Sequence, residues 1–543
     1  MEKYDVVIIG SGLGGLQCGY ILSRHGLNVC VLEKNARPGG CLQTFRRGKH
    51  IFDTGFHYVG GLDEGQPLQT LFRYFGLMNL PWRRMDEDGF DEIILNGKSC
   101  MFANGYERFA DTLSERFPHQ RENLKRYAAF LQNVSAHIFD SFEKKNKEDI
   151  YGTSLFAKSA YDYLTSVIDD PLLRNVLSGT SLKMELHPQI LPLYTFAQIN
   201  SSFIQSAWRL QGGGAQIAAS LIGSVEKNGG TVRMNGEVTR LIEKNGKIVA
   251  AEINGSSAGG IRRAEYTSAK ACDDAECLHG ADNGVWPSDD SRKEELDAER
   301  IEADYFIADM HPASVLPLIT ESAVIRNIYR KRINSLKNTF GMFTANIALR
   351  ENTMPYLNRN IYVYKTGENV WQYAEYKPEH VNTCALVSFR HPEDGSSYTR
   401  NIDILMPMYW PEVEQWAGTT VGHRGDDYTL FKERKINACI HLVSEFVPGL
   451  KDVLSGSNAI ERIYASTPLS YRDYTGTPYG SAYGIRKNCG QLMTTLLSPR
   501  TPEPNLFLTG QNLNLHGVLG VSMTSFFTCA EITGMDTATE GLF

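Results

Sequence analysis

A strand, a glycine-rich turn and a helix follow one another at the start of the chain, and this segment constrains the fold most. Residues 4–9 are apolar and β-branched and end at Gly10, which is typical of a buried parallel strand. Residues 13–25 predict a helix closed by Gly26, and residues 29–32 predict the next strand. A strand–helix–strand unit of this kind implies a parallel sheet with a right-handed crossover, and therefore an α/β fold.

The turn itself matches a dinucleotide-binding pattern, Gly10-Ser11-Gly12-Leu13-Gly14-Gly15. Because the pattern follows a strand and opens a helix, it has the context that a phosphate site requires. Gly10 allows the tight turn, Gly12 lets the backbone approach a pyrophosphate, and Gly15 lets helix and strand pack closely. The free N–H groups and the positive dipole end of the helix would then face the phosphates.

Glu33 ends the second strand, eighteen residues after Gly15. An acidic residue at this place accepts hydrogen bonds from the ribose hydroxyls of a dinucleotide. Its negative charge also repels a 2′-phosphate, so the site disfavours NADP. The turn and the acid together predict a site for a dinucleotide cofactor.

Composition and charge exclude several other classes of protein. The net charge is −7 and no basic stripe is present, so we expect no nucleic-acid partner. The ten cysteines, of which Cys272 and Cys277 are closest, show no metal-ligand spacing; this predicts no metal site and favours a reducing, cytoplasmic setting. No signal peptide and no membrane-spanning helix are expected, whereas peripheral membrane contact stays open.

Further elements follow from the apolar pattern. Residues 117–146 carry one apolar stripe at three- and four-residue spacing, which predicts a long helix, and the apolar stretch 172–210 predicts buried helices. Residues 254–300 are rich in small and charged residues and predict a flexible surface insertion. Strands are predicted at residues 232–242, 247–253, 303–308 and 505–508, before a final helix.

Five later segments complete the pattern. The pair Gly39-Gly40 follows Glu33 and lets the backbone pass close to a flavin or pyrophosphate, because it carries no Cβ. The other segments are FDTGFHYVGG at 52–61, DMHP at 309–312, TPLSYRDY at 467–474 with GSAYG at 480–484, and LTGQN at 508–512 with Gly517 and Gly520. In this order they resemble the retinol saturase, carotenoid isomerase and phytoene desaturase-like family of the amine-oxidase-type flavoprotein superfamily. The polar insertion departs from that family.

The resemblance implies FAD as the cofactor and a Rossmann-like FAD/NAD(P)-binding domain into which an α+β substrate domain is inserted. The implied FAD domain comprises residues 1–65, 205–320 and 495–543, with the insertion at 254–300. The implied substrate domain comprises residues 66–204 and 321–494.

The residues expected to bind FAD come from the turn, the second strand and the matching segments. The resemblance implies that Val238 contacts the adenine through its backbone, and that Gly510 and Gln511 meet the ribityl chain. The start of the last helix, with Val521, is implied to lie near the flavin pyrimidine, where N–H groups stabilise negative charge. The full set is Gly10, Ser11, Gly12, Gly14, Gly15, Glu33, Lys34, Gly40, Gly55, Val238, Gly510, Gln511 and Val521.

The candidates for catalysis are His57, Tyr474 and Tyr483. His57 lies in a segment expected beside the isoalloxazine ring, where it could donate a proton or orient substrate; a packing role stays open. The two tyrosines, with Tyr471, are expected to form an aromatic wall for a flat or polyene ligand. His516 could lie at the flavin edge.

These expectations favour an FAD-dependent oxidoreductase that acts on CH–CH groups of a hydrophobic polyene or isoprenoid, such as a carotenoid or a retinoid. Saturation, desaturation and cis–trans isomerisation use the same parts, and the electron donor or acceptor is not identified. Two alternatives stay open: an amine oxidase, and a non-catalytic isoprenoid escort of the GDP-dissociation-inhibitor type. No lysine near the flavin is identified for the first, and the intact FAD motifs argue against the second.

Overall fold

A computed structural model describes residues 2–142, 150–255, 262–263, 299–365, 369–456 and 458–536. Its strands are β1 (Glu2–Ile9), β2 (Val29–Leu32), β3 (Thr44–Arg47), β4 (His50–Asp53), β5 (Val59–Gly60), β6 (Trp82–Arg84), β7 (Asp91–Leu95), β8 (Lys98–Phe102), β9 (Ala207–Leu210), β10 (Thr231–Met234), β11 (Gly236–Lys244), β12 (Lys247–Gly255), β13 (Arg262–Arg263), β14 (Glu299–Ala308), β15 (Gly341–Leu349), β16 (Asn360–Tyr364), β17 (Cys384–Phe389), β18 (Asn401–Met408), β19 (Ile460–Ser466) and β20 (Leu506–Leu508).

The helices are α1 (Leu13–Arg24), α2 (Pro67–Tyr74), α3 (Tyr106–Arg116), α4 (Arg121–Ala136), α5 (Ile150–Phe156), α6 (Ala160–Val167), α7 (Pro171–Leu177), α8 (Leu193–Gln205), α9 (Ala215–Lys227), α10 (Pro312–Val315), α11 (Asn327–Asn334), α12 (Gly425–Phe446), α13 (Pro448–Ser455), α14 (Pro468–Thr475), α15 (Leu492–Thr495) and α16 (Gly517–Thr533). Among the described residues, none of these helices is long and apolar enough to cross a membrane.

The first sheet draws its strands from three distant parts of the chain. Its order is β11-β12-β14-β1-β2-β10-β13, and β20 pairs with β14. β1 is parallel to β2 and β14, and β14 is parallel to β20. The register aligns Ile9 with Ala308, and Ala308 with Leu508. The turns that follow β1, β14 and β20 therefore meet at one edge of the sheet.

Helix α1 packs on β2, α9 and α16. Leu16, Ile21 and Leu22 are fully buried, and burial of each such side chain contributes about 1.5–3 kcal/mol. A buried hydrogen bond from Gln17 Nε2 to Ser522 Oγ (2.8 Å) joins α1 to α16. The last helix is thus held beside the first, next to the edge where the turns meet.

The second sheet has the order β19-β15-β18-β17-β16-β7-β8. Its strands pair antiparallel except for β16 and β7, which are parallel. Helices α12 and α13 contribute to the core on one side of this sheet, and α3 to α8 contribute to a separate core that also contains side chains from β7, β8 and β16. A largely antiparallel sheet covered by helices is therefore the frame of the second half of the molecule.

The predicted α/β architecture is confirmed, with β2 at the predicted residues and α1 ending at Arg24, one residue early. The single strand predicted at 232–242 is wrong. It divides into β10, which is parallel to β2, and β11, which forms a hairpin with β12. The division falls at Asn235, whose φ of 58° is incompatible with a continuous strand.

Two helix predictions are also wrong in extent. α4 covers only Arg121–Ala136 of the predicted 117–146, and the chain then turns where His137 Nδ1 lies 2.8 Å from Asp140 Oδ2. Ile138 and Phe142 still reach the core, but not from α4. In the stretch predicted as buried helices, residues 207–210 form strand β9, which pairs with β5 and β6.

Most of the predicted insertion, residues 256–261 and 264–298, lies outside the described residues, as do Cys272 and Cys277. Within it, β13 pairs with β10. On either side of it, β12 and β14 pair with each other, and Ile253 lies opposite Glu299. The two ends of the segment are therefore adjacent in the first sheet. The predicted domain boundaries stay a prediction.

Candidate functional site

The glycine turn after β1 is closed by contacts that exclude a side chain. Gly10 has a φ of 101°, a conformation that favours glycine. A Cβ on Gly15 would lie 2.1 Å from the Gly10 carbonyl oxygen. This contact is the close approach of helix and strand that the sequence predicts for the third glycine of the pattern.

Gly12 and Gly14 face the side chain of Asp309, the first residue of the DMHP segment, for which the sequence suggested no contact with the glycine turn. A Cβ on Gly12 would lie 2.5 Å from Asp309 Oδ2, and a Cβ on Gly14 would lie 2.8 Å from Asp309 Oδ1. Asp309 follows β14, and its backbone N–H donates to Ile9 O (2.8 Å). The Asp309 carboxyl group therefore leaves no room for a side chain at Gly12 or Gly14, whether or not a phosphate also binds there.

Glu33 is buried and binds the turn directly. Its Oε2 accepts hydrogen bonds from the backbone N–H (3.1 Å) and the hydroxyl (2.5 Å) of Ser11. Its Oε1 accepts from the backbone and side-chain N–H groups of Asn35, at 2.9 and 2.8 Å. Each carboxylate oxygen can accept more than one hydrogen bond, so these contacts orient Glu33 toward the place where ribose hydroxyls are expected.

Two helices begin at this edge without a side-chain cap. The N-cap of α1 is Gly12 and that of α16 is His516, and neither makes a side-chain capping bond. Free N–H groups at a helix N-terminus attract anionic and electron-rich groups. At Gly517 a Cβ would meet nothing within 4 Å, so the start of α16 faces open space. The residues present at this edge therefore fit a flavin dinucleotide.

The remaining cofactor candidates lie along or near the same edge. Gly510 has a φ of 89° and lies 3.2 Å from the Cβ position of Gly14. Gly40 has a φ of 53°, and its Cβ position lies 3.4 Å from Gly12 Cα. A Cβ on Gly55 would lie 3.4 Å from Cys41 Cβ, which places the FDTG segment beside the glycine pair.

Four further candidates have side chains or backbone at the borders of the site. Val238 is buried in β11, Gln511 is half-buried after β20, and Val521 is buried in the second turn of α16. Lys34 is exposed, and its Nζ donates to Asp473 O (3.0 Å). Their roles in binding FAD stay predictions.

The side chain of His57 is only 10% exposed. Burial, followed by the charge of Arg209, lowers the pKa of His57 to about 4. Its Nδ1 lies 3.8 Å from Asp403 Oδ2, too far for a hydrogen bond, and its Nε2 is buried without a hydrogen-bond partner. Burial also raises the pKa of Asp403 to about 7, which is inconsistent with a strong ion pair here. His57 therefore has a free ring nitrogen for a ligand.

Tyr483 and Tyr471 contact other segments that the sequence predicts at the site. The Tyr483 ring packs against His516 at a centroid distance of 4.6 Å, and its hydroxyl donates to Leu182 O. The Tyr471 hydroxyl donates to Thr54 O (3.1 Å), in the FDTG segment. Because burial raises the pKa of Tyr483 above its usual range, its arrangement suits a wall better than an acid.

Tyr474 is not brought to this wall. Its side chain is 48% exposed, and its carbonyl oxygen accepts a hydrogen bond from Asn35 Nδ2 (3.0 Å), next to Glu33. Its backbone therefore lies beside the Glu33–Asn35 segment, and its side chain faces solvent. The structure gives it no contact with His57 or Tyr483.

The structure contains a buried ion pair that the sequence did not predict. Lys183 Nζ lies 2.8 Å from Asp91 Oδ2, and that carboxylate also accepts from the Tyr58 hydroxyl (2.9 Å). The carbonyl of Lys183 pairs with His516 Nε2 (3.0 Å). The available signal was Lys183 itself, a charge within the apolar stretch 172–210.

A cavity with both polar and apolar lining residues adjoins His516 and Tyr483. Thr195, Arg486 and Lys487 are among its lining residues. The buried Thr195 hydroxyl has no hydrogen-bond partner. Lys487 Nζ donates to Asn512 O (2.5 Å) and Thr495 O (3.3 Å), and burial lowers the pKa of Lys487 to about 7. The cavity can therefore take a small polar group beside His516 and Tyr483.

The chain is similar to known proteins, both in its first segment and over nearly its whole length. Residues 8–75 match the model of the NAD(P)-binding Rossmann-like domain. The chain is 28% identical to an all-trans-retinol 13,14-reductase of Danio rerio, over 98% of this chain and 86% of that protein. It is 25% identical to prolycopene isomerase 2 of an Oncidium hybrid cultivar, over 47% and 46% of the two chains.

A solved structure of putrescine oxidase bound to putrescine aligns with a TM-score of 0.60 and 14% identity, covering 98% of this chain and 99% of that chain. At this identity the likeness shows the fold alone. In this chain the fold brings the first and last segments together, because β14 pairs with both β1 and β20.

Proposed function

We infer that this chain, which belongs to the retinol saturase and carotenoid isomerase family, is an FAD-dependent oxidoreductase that acts on carbon–carbon double bonds of a polyene. The observation that carries the proposal is that α1 and α16 begin at one edge of the first sheet with N-cap residues that supply no side-chain hydrogen bond. The diphosphate and the pyrimidine of FAD would each lie at one of them.

The residues around this edge would bind and orient both molecules. FAD would supply hydride transfer to or from a substrate carbon. Glu33 would accept hydrogen bonds from the ribose, and the bare backbone at Gly40 and Gly55 would leave room for the ring system. Tyr471 and Tyr483 would hold a flat substrate against it. His57 would hydrogen-bond the substrate through Nε2, the nitrogen that lacks a partner.

The cavity beside His516 favours a polyene with one polar end. Thr195 and Lys487 present hydrogen-bonding groups there. A hydrocarbon end would leave the buried Thr195 hydroxyl unpaired, which costs about 1–3 kcal/mol. An alcohol end would pair with it, and retinol, the compound in the name of the Danio rerio relative, is an alcohol.

The test is to purify the protein, record its absorption spectrum, reduce it without oxygen and add polyenes. We expect bound flavin, and reoxidation that is faster with a polyene alcohol than with a hydrocarbon of the same conjugated length. Thr195→Val should raise the KM for the alcohol by about tenfold and leave the hydrocarbon unchanged. Thr165→Val, at an exposed helix position, is the matched control.

Three results would reject the proposal or its parts. A protein that takes up no flavin would be better explained as an isoprenoid escort. Hydrogen peroxide release with amines, and no reaction with polyenes, would identify an amine oxidase. Equal rates with the alcohol and the hydrocarbon would reject the proposed polar end of the substrate but not the proposed oxidoreductase activity.

A further inference from the structure

Asp309 lies at the edge of the first sheet where the turns after β1, β14 and β20 meet. It follows β14, the strand next to β1, and its carboxyl group lies among three glycines. The Cβ positions of Gly12, Gly14 and Gly510 fall 2.5, 2.8 and 2.6 Å from its oxygens. The carboxyl group therefore fills the space that these glycines leave on the protein side of the turn.

The same carboxyl group caps α1 from outside the helix. Gly12, the N-cap residue, has no side chain to do so, and the backbone N–H of Gly15 donates to Asp309 instead. A negative charge is stabilised at this end of a helix. A diphosphate that binds here would approach the same N–H groups and the same dipole end.

Two anions would then compete for one positive region. Burial raises the pKa of Asp309 to about 6; the hydrogen bond from Gly15 opposes this shift, and the charge of Glu33 adds to it. Among the described residues, the titratable groups that act on Asp309 are Glu33 and the Cys41 thiol. Neither is a cation, so no described side chain neutralises a charged Asp309 when phosphates arrive.

We propose that Asp309 is a cofactor-binding residue which takes up a proton when the diphosphate binds, so that the dinucleotide lies against a neutral carboxyl group. The inference rests on the proposed FAD site. The neutral carboxyl group can still accept from Gly15 through one oxygen, and its O–H can donate to a phosphate oxygen. Gly12, Gly14 and Gly510 are then needed to bring this donor and the diphosphate together.

The sign of the pH dependence follows from linkage. A bound diphosphate raises the pKa of Asp309 further, because a like charge disfavours ionisation. Affinity is then fully present below the pKa of the free protein, about 6, and falls as the pH rises between that value and the pKa of the complex. The dissociation constant for FAD should rise by up to about tenfold per pH unit in this window.

The experiment measures FAD binding to the apoprotein by fluorescence from about pH 5 to pH 8, with calorimetry in two buffers of different ionisation enthalpy. Wild-type protein should take up close to one proton near pH 7 and bind more weakly as the pH rises. Asp309→Asn keeps the shape and an acceptor for Gly15, so its affinity should not depend on pH in this range and it should bind without proton uptake.

Asp304→Asn is the matched control, because Asp304 lies in the same strand with its carboxylate 56% exposed. It should keep the wild-type pH dependence. Wild-type binding without proton uptake, or an Asp309→Asn protein with the wild-type slope, would overturn the inference. If that variant fails to fold, proton uptake by the wild-type protein decides alone. Absence of FAD binding at every pH would instead overturn the proposed function.

Discussion

Gly12 shows how a single position can be constrained from two sides. Its backbone, with φ −63° and ψ 177°, is open to any residue, so the requirement for glycine is steric and not conformational. On the protein side the space is taken by Asp309 Oδ2, 2.5 Å from the Cβ position. The diphosphate is proposed to lie against the same carboxyl group, so it borders this space from the other side.

Gly12→Val should therefore remove flavin binding. The new side chain would displace Asp309 or the turn, and it would enter the diphosphate position. The measurement is bound flavin per chain after purification, together with the circular dichroism spectrum. Gly223→Ala is the control, because Gly223 in α9 has nothing within 4 Å of its Cβ position. A Gly12→Val protein with a full complement of FAD would show that the diphosphate lies elsewhere.

His57 should act as a neutral side chain throughout the physiological range. Since burial lowers the pKa of His57 to about 4, its charged form is lost as the pH rises through that value. The pH profile of kcat should therefore show no step due to His57 near its usual pKa of about 6.5. His57→Phe should lower kcat by about 100-fold or more, and His57→Gln should lower it less because the amide can still hydrogen-bond.

The measurement is kcat against pH for the wild type and both variants. A step near pH 6.5 that is present in the wild type and absent in His57→Gln would contradict a neutral role.

The ion pair of Lys183 and Asp91 connects elements, since it joins β7 to the turn before α8. The two side chains are 8% and 0% exposed, so neither charge is solvated. Asp91→Asn should lower the free energy of unfolding by about 3–5 kcal/mol, because it leaves a buried ammonium unpaired. Chemical denaturation measures the change.

The double variant Asp91→Asn, Lys183→Met should recover part of this loss, because no unpaired charge remains. Asp304→Asn, which breaks the exposed pair with Lys3, should cost less than about 1 kcal/mol. Equal losses in Asp91→Asn and in the double variant would mean that the unpaired charge is not the cause.

The elements that could be predicted are those defined by local pattern. β1, α1 and β2 have period, cap and glycine signals within a few residues, and they are found within two residues of their predicted ends. β9 was missed because a strand of four residues that directly follows a buried helix has no distinguishing period. The contacts of Asp309 and Lys183 were missed for another reason: their partners, Gly12 and Asp91, are distant in sequence and carry no local signal.

At the scale of the whole molecule, the segment between β12 and β14 is an addition to a continuous sheet. The two strands pair directly, with Ala250 opposite Glu302 and Ile253 opposite Glu299. Replacement of residues 256–298 by a short glycine-containing turn should leave flavin content unchanged and lower the melting temperature only slightly, since it removes the short pairing of β13 with β10. Flavin content and a melting curve test this. Loss of folding would show that the segment is part of the framework.

The first sheet also determines when the protein can acquire its cofactor in the cell. β20 and the helix that follows it lie within the last forty residues, yet β20 pairs with β14 at the centre of the site. At a translation rate of about 5–20 residues per second, β1 and its turn leave the ribosome tens of seconds before β20 does. If FAD binds as proposed, a nascent chain should not retain it until the carboxyl-terminal segment has emerged, and a product that terminates before Leu506 should be colourless.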